Sequence, residues 1–305
     1  MITVEGVTKA YSGHLALDDV SFVARPGRVT GLLGAAGAGK STVIRIMLGL
    51  TPATSGRVTI GGHRYRDLPN PGRVAGALLD TGARHDARTG HEIITVGAQI
   101  MGLPRVRVRE VLEHVSLTPS VAKRRPDQYP PGVRQRLGIA HALLGNPAVL
   151  ILDEPAKGMD ATETDSMTDL LMGHATAGGT VLIASQLLNV MEKIADDLIV
   201  IDSGRIVAQG SRPELLASRG SYVEAVDHES LVDALRHEGI HTIRCAAGLR
   251  ADADPTRIGT IAATTGLVLV ALRPAPGLAD LAPELRAGAG ARMAHQRACA
   301  PRTPP

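Results

Sequence analysis

One stretch of the sequence has the residue types and spacing to hold phosphate. Gly34-Ala35-Ala36-Gly37-Ala38-Gly39-Lys40-Ser41-Thr42 fits G-x-x-x-x-G-K-[ST] and adds a glycine in the middle. Glycines let backbone N–H groups turn inward around phosphate oxygens. Lys40 is placed to reach β- and γ-phosphates, and Ser41 to offer a hydroxyl to Mg²⁺. A second chemical pair is Asp153-Glu154, two acids after four aliphatic residues. At the end of a buried strand, Asp153 would hold Mg²⁺ and Glu154 would orient and polarise an attacking water.

These residues need particular elements around them. Val29 to Leu33 reads as a buried strand running into the glycine loop, and Ser41 to Leu50 as the helix after it. That order aims the positive end of a helix at the anion. Ala148 to Leu152, Thr180 to Ala184 and Asp197 to Asp202 read as further buried strands. Continuous apolar runs of this kind suit a parallel sheet covered on both faces, and ligands bind at the carboxyl ends of its strands. The first 25 residues or so and Gly56 to Gly62 alternate like an antiparallel meander, and residues 86 to 145 read as helical.

A boundary is expected between Ser211 and Gly220. Beyond it, strand Ser221–Val226, helix Glu229–His237, strand Ile240–Ala246, helix Thr256–Thr264 and strand Leu267–Leu272 suggest a small split-βαβ, ferredoxin-like appendage. The division is then 1–217, 218–275 and a disordered tail 276–305, rich in Ala, Gly, Pro and Arg.

Composition narrows the chemistry. With one Phe, four Tyr and no Trp, an aliphatic core is expected and aromatic stacking platforms for single-stranded nucleic acid are not. Two cysteines, Cys245 and Cys299, cannot make a disulfide scaffold or a four-thiolate zinc site. The net charge of +3 is a weak attractor for polyanions, and no nucleic-acid partner is expected. The N-terminus lacks the apolar core of a signal peptide, and no apolar run is long enough to span a membrane.

Taken in order, these motifs make residues 1 to 217 resemble the ATP-binding subunits of ABC transporters. Tyr11 resembles the aromatic residue that stacks on adenine. Tyr129-Pro130-Pro131-Gly132-Val133-Arg134-Gln135-Arg136 stands where that family has its signature, and Lys157-Gly158-Met159-Asp160 resembles the loop whose aspartate couples two nucleotide sites. Ser185-Gln186-Leu187-Leu188 stands in place of Ser-His-Leu-Leu. Val74 to Asp80, Arg88 to Glu92 and the appendage are similar to the drug- and antibiotic-exporter branch. The resemblance implies a P-loop NTPase: an α/β fold with a mostly parallel sheet, an N-terminal antiparallel β subdomain, a helical signature subdomain and a small α+β appendage.

It further implies ATP and Mg²⁺ as cofactors, with ATP hydrolysed to ADP and phosphate. Residues 34 to 42, Tyr11, Gly132 and Asp160 would contact nucleotide. Ser41, Asp153 and Asp80 would serve the metal, and Glu154, Gln186 and Asp80 the catalysis. The implied partners are a membrane permease on a separate chain and a second ATP-binding subunit, as homodimer or heterodimer, on the cytoplasmic face of the membrane.

Three departures bear on turnover. Pro130 and Pro131 replace a serine and a glycine that donate to the γ-phosphate across the dimer, and proline has neither a hydroxyl nor an N–H. Only the Gly132 amide survives there. Gln186 replaces a histidine, and Asp80 a glutamine. The alternative expectation is therefore a weakly hydrolysing regulatory subunit, or half of a heterodimer with one degenerate site.

Overall fold

The computed structural model describes residues 1–79, 87–216, 220–245 and 248–274. Two compact units divide the chain, one of Met1–Gly210 and one from Ser211 onward.

The first unit opens with an antiparallel pair, β1 (Ile2–Tyr11) and β2 (His14–Ala24), joined by Ser12-Gly13 with both residues at positive φ. β3 (Arg28–Leu33) and α1 (Lys40–Met47) flank the glycine loop, and β4 (Ser55–Ile60) returns to pair with β1. The sheet order is thus β2-β1-β4. It is not a simple meander, because β3 leaves to join a second sheet. A short α2 (Pro71–Val74) leads into β5 (Ala75–Leu78).

Four helices follow: α3 (Gly90–Ile100), α4 (Val106–His114), the short α5 (Pro119–Ala122) and α6 (Pro131–Leu143). Thr89 and Glu92 form a reciprocal capping box that fixes the start of α3. β6 (Val149–Asp153), α7 (Ala161–Thr176), β7 (Thr180–Ser185), α8 (Leu188–Ile194), β8 (Asp197–Asp202) and β9 (Arg205–Ser211) complete this part.

The second sheet has the order β5-β6-β7-β3-β8-β9, with the first five strands parallel. All residues of β6 and β7 are buried, as sequences rich in Val, Ile and Leu require when helices cover both faces. On one face Leu32, Val149, Ile151, Leu182, Ala184, Ile199 and Ile201 share a core with Val43, Ile44 and Met47 of α1 and with the antiparallel sheet beyond it. α7 and α8 pack on β3 from the other face. Gly31 sits there without a side chain, so Met191 of α8 and Ala195 just after it approach closely. The phosphate loop is thereby held at the carboxyl end of β3, between two layers.

The second unit begins with α9 (Arg212–Leu216). It continues with β10 (Ser221–Ala225), α10 (His228–His237), β11 (Thr242–Cys245), β12 (Gly248–Ala251), α11 (Pro255–Thr265) and β13 (Leu269–Pro274). The strands pair antiparallel in the order β11-β12-β10-β13. Val223, Leu231, Leu235, Leu249, Ile258 and Ile261 build a core separate from that of the first unit. The order of these elements from β10 is βαββαβ, in which β12 is a short strand that the sequence did not announce. Asp80, Cys299 and the tail 276–305 lie outside the described residues, as does the Cys245 side chain. Among the described residues no helix is long and apolar enough to cross a membrane.

Candidate functional site

The glycine loop runs from β3 to α1 with Gly39 as the N-cap at φ 111°. A side chain there would be strained and would press on Leu17, 2.7 Å from its Cδ2. Gly37, at φ 82°, has no atom within 4 Å of where a Cβ would stand, so the loop is open at its middle. The Gly34 amide donates to Ser185 O at 3.3 Å, and the Gly204 amide to Ala38 O at 3.0 Å. These bonds pin the loop to the ends of β7 and β8. α1 carries no side-chain cap. The start of an uncapped helix is the place where backbone N–H groups face an anion.

Lys40 is only 6% exposed. Its Nζ donates to Gly34 O at 2.8 Å and Ala35 O at 3.1 Å, and lies 3.7 Å from Glu154 Oε1. Glu154 follows β6 in the left-handed region at φ 51°, a conformation rare outside glycine, Asn and Asp and often found at functional positions. The Glu154 amide donates to Ala184 O at 2.8 Å. Its Oε2 accepts from Ser185 Oγ at 3.1 Å, and its Oε1 from the Gln186 amide at 3.0 Å. Burial pushes the Glu154 carboxyl above its ordinary value; Lys40, Ser185 and Gln186 pull it back only in part, and Asp153 adds to the rise.

Asp153 closes β6 and is 3% exposed, while Ser41 is the second residue of α1, which packs on β6. A hydroxyl and a carboxylate are hard oxygen donors of the kind Mg²⁺ takes. The donor set therefore fits the ion.

Tyr11 stands at the end of β1, 43% exposed, with Lys9 Nζ 4.7 Å from its ring centroid. Pro130 and Pro131 are the N-cap and first residue of α6, a position that suits proline. Gly132 is buried beneath the Glu163 carboxylate: a Cβ on it would overlap that group, with Oε1 2.7 Å away. Glu163 forms a capping box with Asp160, whose Oδ1 accepts from the Glu163 amide at 2.8 Å. Lys40, Ser185, Gln186 and Glu154 meet in one place. Asp160 and Gly132 meet in another, through Glu163.

A family model described as ABC transporter matches residues 17–157. The doxorubicin resistance ATP-binding protein DrrA of Mycobacterium tuberculosis is 36% identical over 249 residues, covering 77% of this chain and 74% of that protein. The methionine import ATP-binding protein MetN of Geobacillus kaustophilus is 34% identical over 261 residues, covering 78% and 75%. The chain belongs to the ATP-binding subunits of ABC transporters. A solved ATP-binding subunit of an ABC transporter superposes with a TM-score of 0.64 at 25% identity, covering 70% of this chain and 91% of the other. A dimeric bacterial ABC transporter cassette, 24% identical with a TM-score of 0.64, shares the fold over 69% and 98%.

As an ABC ATPase the chain shows groups that its motifs did not announce. Ser185 and the backbone amide of Gln186 orient Glu154, so the amide contribution at 186 is independent of side-chain type. Gln135, one turn into α6, donates from Nε2 to Glu154 O at 3.4 Å and ties the helical region to the carboxylate's backbone. Glu163 is the third. Its only sequence signal was the D-x-x-E spacing of a capping box.

Proposed function

We propose that this subunit powers export of a small molecule, a drug, antibiotic or peptide, through a membrane permease on a separate chain. The observation that carries the chemistry is Lys40 within 3.7 Å of Glu154 at the mouth of the glycine loop. The drug-resistance relatives support the direction, including the daunorubicin/doxorubicin resistance protein DrrA of Streptomyces peucetius, 30% identical over 262 residues.

In this reading two ATP-binding subunits enclose two ATP molecules, each between the phosphate loop of one and the head of α6 of the other. Lys40 exchanges its carbonyl partners for the β- and γ-phosphates, and residues 34 to 42 wrap the remaining oxygens. Tyr11 offers the face of its ring away from Lys9 to adenine. Ser41 and Asp153, with Asp80, would hold Mg²⁺, which neutralises charge on the transferring phosphoryl group. Glu154, held by Ser185 and Gln186, orients the water that attacks the γ-phosphate. Asp160 couples the two sites. Closure pulls on the permease at the cytoplasmic face, and hydrolysis resets it.

The test is phosphate release by the subunit with its permease, together with drug sensitivity of the host. Glu154→Gln should remove both hydrolysis and protection; protection that survives the substitution would sink the reading. The methionine-import relatives favour a second reading, in which the same machinery drives uptake. Pro130 and Pro131 favour a third, a weakly hydrolysing subunit or one half of a heterodimer.

A further inference from the structure

A cavity of about 460 Å³ opens at the end of α1 that lies away from the phosphate loop. No residue of the nucleotide site lines it. α1, eight residues long and so about 12 Å, separates the two places. The volume falls within the range of small-molecule sites, about 300–1,000 Å³. The floor is apolar: Ile46 and Met47, the last two residues of α1, and Val58 of β4 are all buried there.

The rim is basic. Arg57, Arg64 and Arg66 line the cavity and, among the described residues, no acid does. Two of these arginines are already matched: Arg57 pairs with Glu5 of β1, and Arg66 Nε lies 3.7 Å from Asp67 Oδ1. Arg64 stands just before the single turn Tyr65–Asp67. It makes no ion pair and no side-chain hydrogen bond among the described residues. Nor does the hydroxyl of Tyr65 beside it, whose half-buried ring packs on the core. Burial pushes that phenol above its ordinary value, so it stays a neutral donor.

A helix C-terminus is a poor neighbour for an anion when its carbonyls are bare. Here the carbonyls of Ile44, Arg45 and Ile46 accept from the amides of Leu48, Leu50 and Gly49. This end of α1 is thus paired within the backbone, and the side chains of Ile46 and Met47 line the cavity.

We propose that the cavity is a binding site for a small organic monoanion, a carboxylate on an apolar body. The body lies on Ile46, Met47 and Val58, and the carboxylate on Arg64 with Tyr65 donating beside it. A guanidinium takes a carboxylate through two parallel N–H donors. One unmatched cation calls for one negative charge. A phosphate dianion would bring charge that nothing balances, and a neutral amphiphile would leave Arg64 unused. The site is independent of the direction of transport and of a second subunit.

The experiment uses the full-length chain with isotope-labelled methionine methyl groups, followed by NMR, and octanoate as the probe. Met47 lines the cavity, so its methyl signal, assigned by its loss in Met47→Leu, reports binding there. Octanoate should shift that signal saturably with a Kd of about 1 mM. Octylammonium, the same chain with the opposite charge, should bind about 10-fold more weakly or worse. Arg64→Gln should weaken octanoate binding by about 10-fold and leave Mg-ATP affinity within about 2-fold. Tyr65→Phe should weaken octanoate by about 3-fold.

Equal binding of octanoate and octylammonium would overturn the proposal, because the cavity would then take up apolar chains without reading charge. So would the absence of a shift at Met47, or an octanoate affinity that Arg64→Gln leaves unaltered. Arg64 is exposed, so its replacement should not change the thermal melt. The comparison of the two probes is made on the unaltered chain and decides the matter whatever the variants do.

Discussion

Lys40 stands between two sets of partners. Its ammonium donates to two loop carbonyls and lies beside Glu154. ATP must therefore compete with an internal arrangement, and the gain is the difference between charge-assisted bonds to phosphate and those it replaces. Lys40→Ala should weaken ATP binding by about 10- to 100-fold, read by calorimetry; equal affinity would make the loop merely structural. Glu154 yields a prediction about pH. Its carboxyl is raised in the fold, chiefly by burial. A raised carboxyl favours the folded state while protonated, below its unfolded value near 4.5, and that advantage is lost as pH rises through the folded value. Glu154→Gln removes the titration. Its melting temperature relative to wild type should therefore climb as pH rises above the ordinary carboxyl value of 4.5, and a constant gap across thermal melts would contradict this. Lys40, Ser41, Asp153 and Glu154 were legible because each sits in a short contiguous motif. The contacts of Gln135 with Glu154 O and of Glu163 with Gly132 were not, because they span 19 and about 30 residues, which only the fold brings together.

At the scale of elements, the prediction about turnover concerns α6. Pro131 is comfortable as the first helical residue, so the helix forms despite the missing donors. Pro130→Ser with Pro131→Gly restores a hydroxyl and an N–H at the helix start, and turnover should rise by about 10-fold or more if those donors limit the rate. Gln186→His should add a further gain by supplying an imidazole beside Glu154, to which the residue 186 amide already donates. Steady-state phosphate release is the measurement, and brisk wild-type turnover unimproved by the changes would show the departures to be neutral. The double change should also loosen the contact between α6 and the loop before α7, since Pro131 lies against Gly158. Strands were legible where apolar runs are long: β3, β6, β7 and β8 came within a residue or so of their observed ends. β5 and β12 have four residues each and too few for a periodicity to show. β5 is a strand because β6 pairs with it, not because Ala75-Gly76-Ala77-Leu78 favours extension.

Among the described residues, the two units have separate apolar cores. Residues 2 to 201 supply the shared core of both sheets and α1, and residues 223 to 261 supply the core of the appendage. No residue of the phosphate loop or of the Glu154 cluster comes from the second unit. Domains with their own cores can in principle fold alone. A chain ending after Ser211 keeps β9, the edge of the parallel sheet, and loses the bond from the Ser211 amide to Glu214 Oε2, an exposed cap worth about 1 kcal/mol. It should fold cooperatively and bind ATP within about 2-fold of the full chain, because 1 kcal/mol lost outside the site changes folding and not the loop. Calorimetry and thermal melting of the shortened chain give both quantities. An affinity lost together with a cooperative melt would mean that the appendage acts on the nucleotide site. A melt that loses its cooperativity would mean instead that the first unit depends on the second to fold.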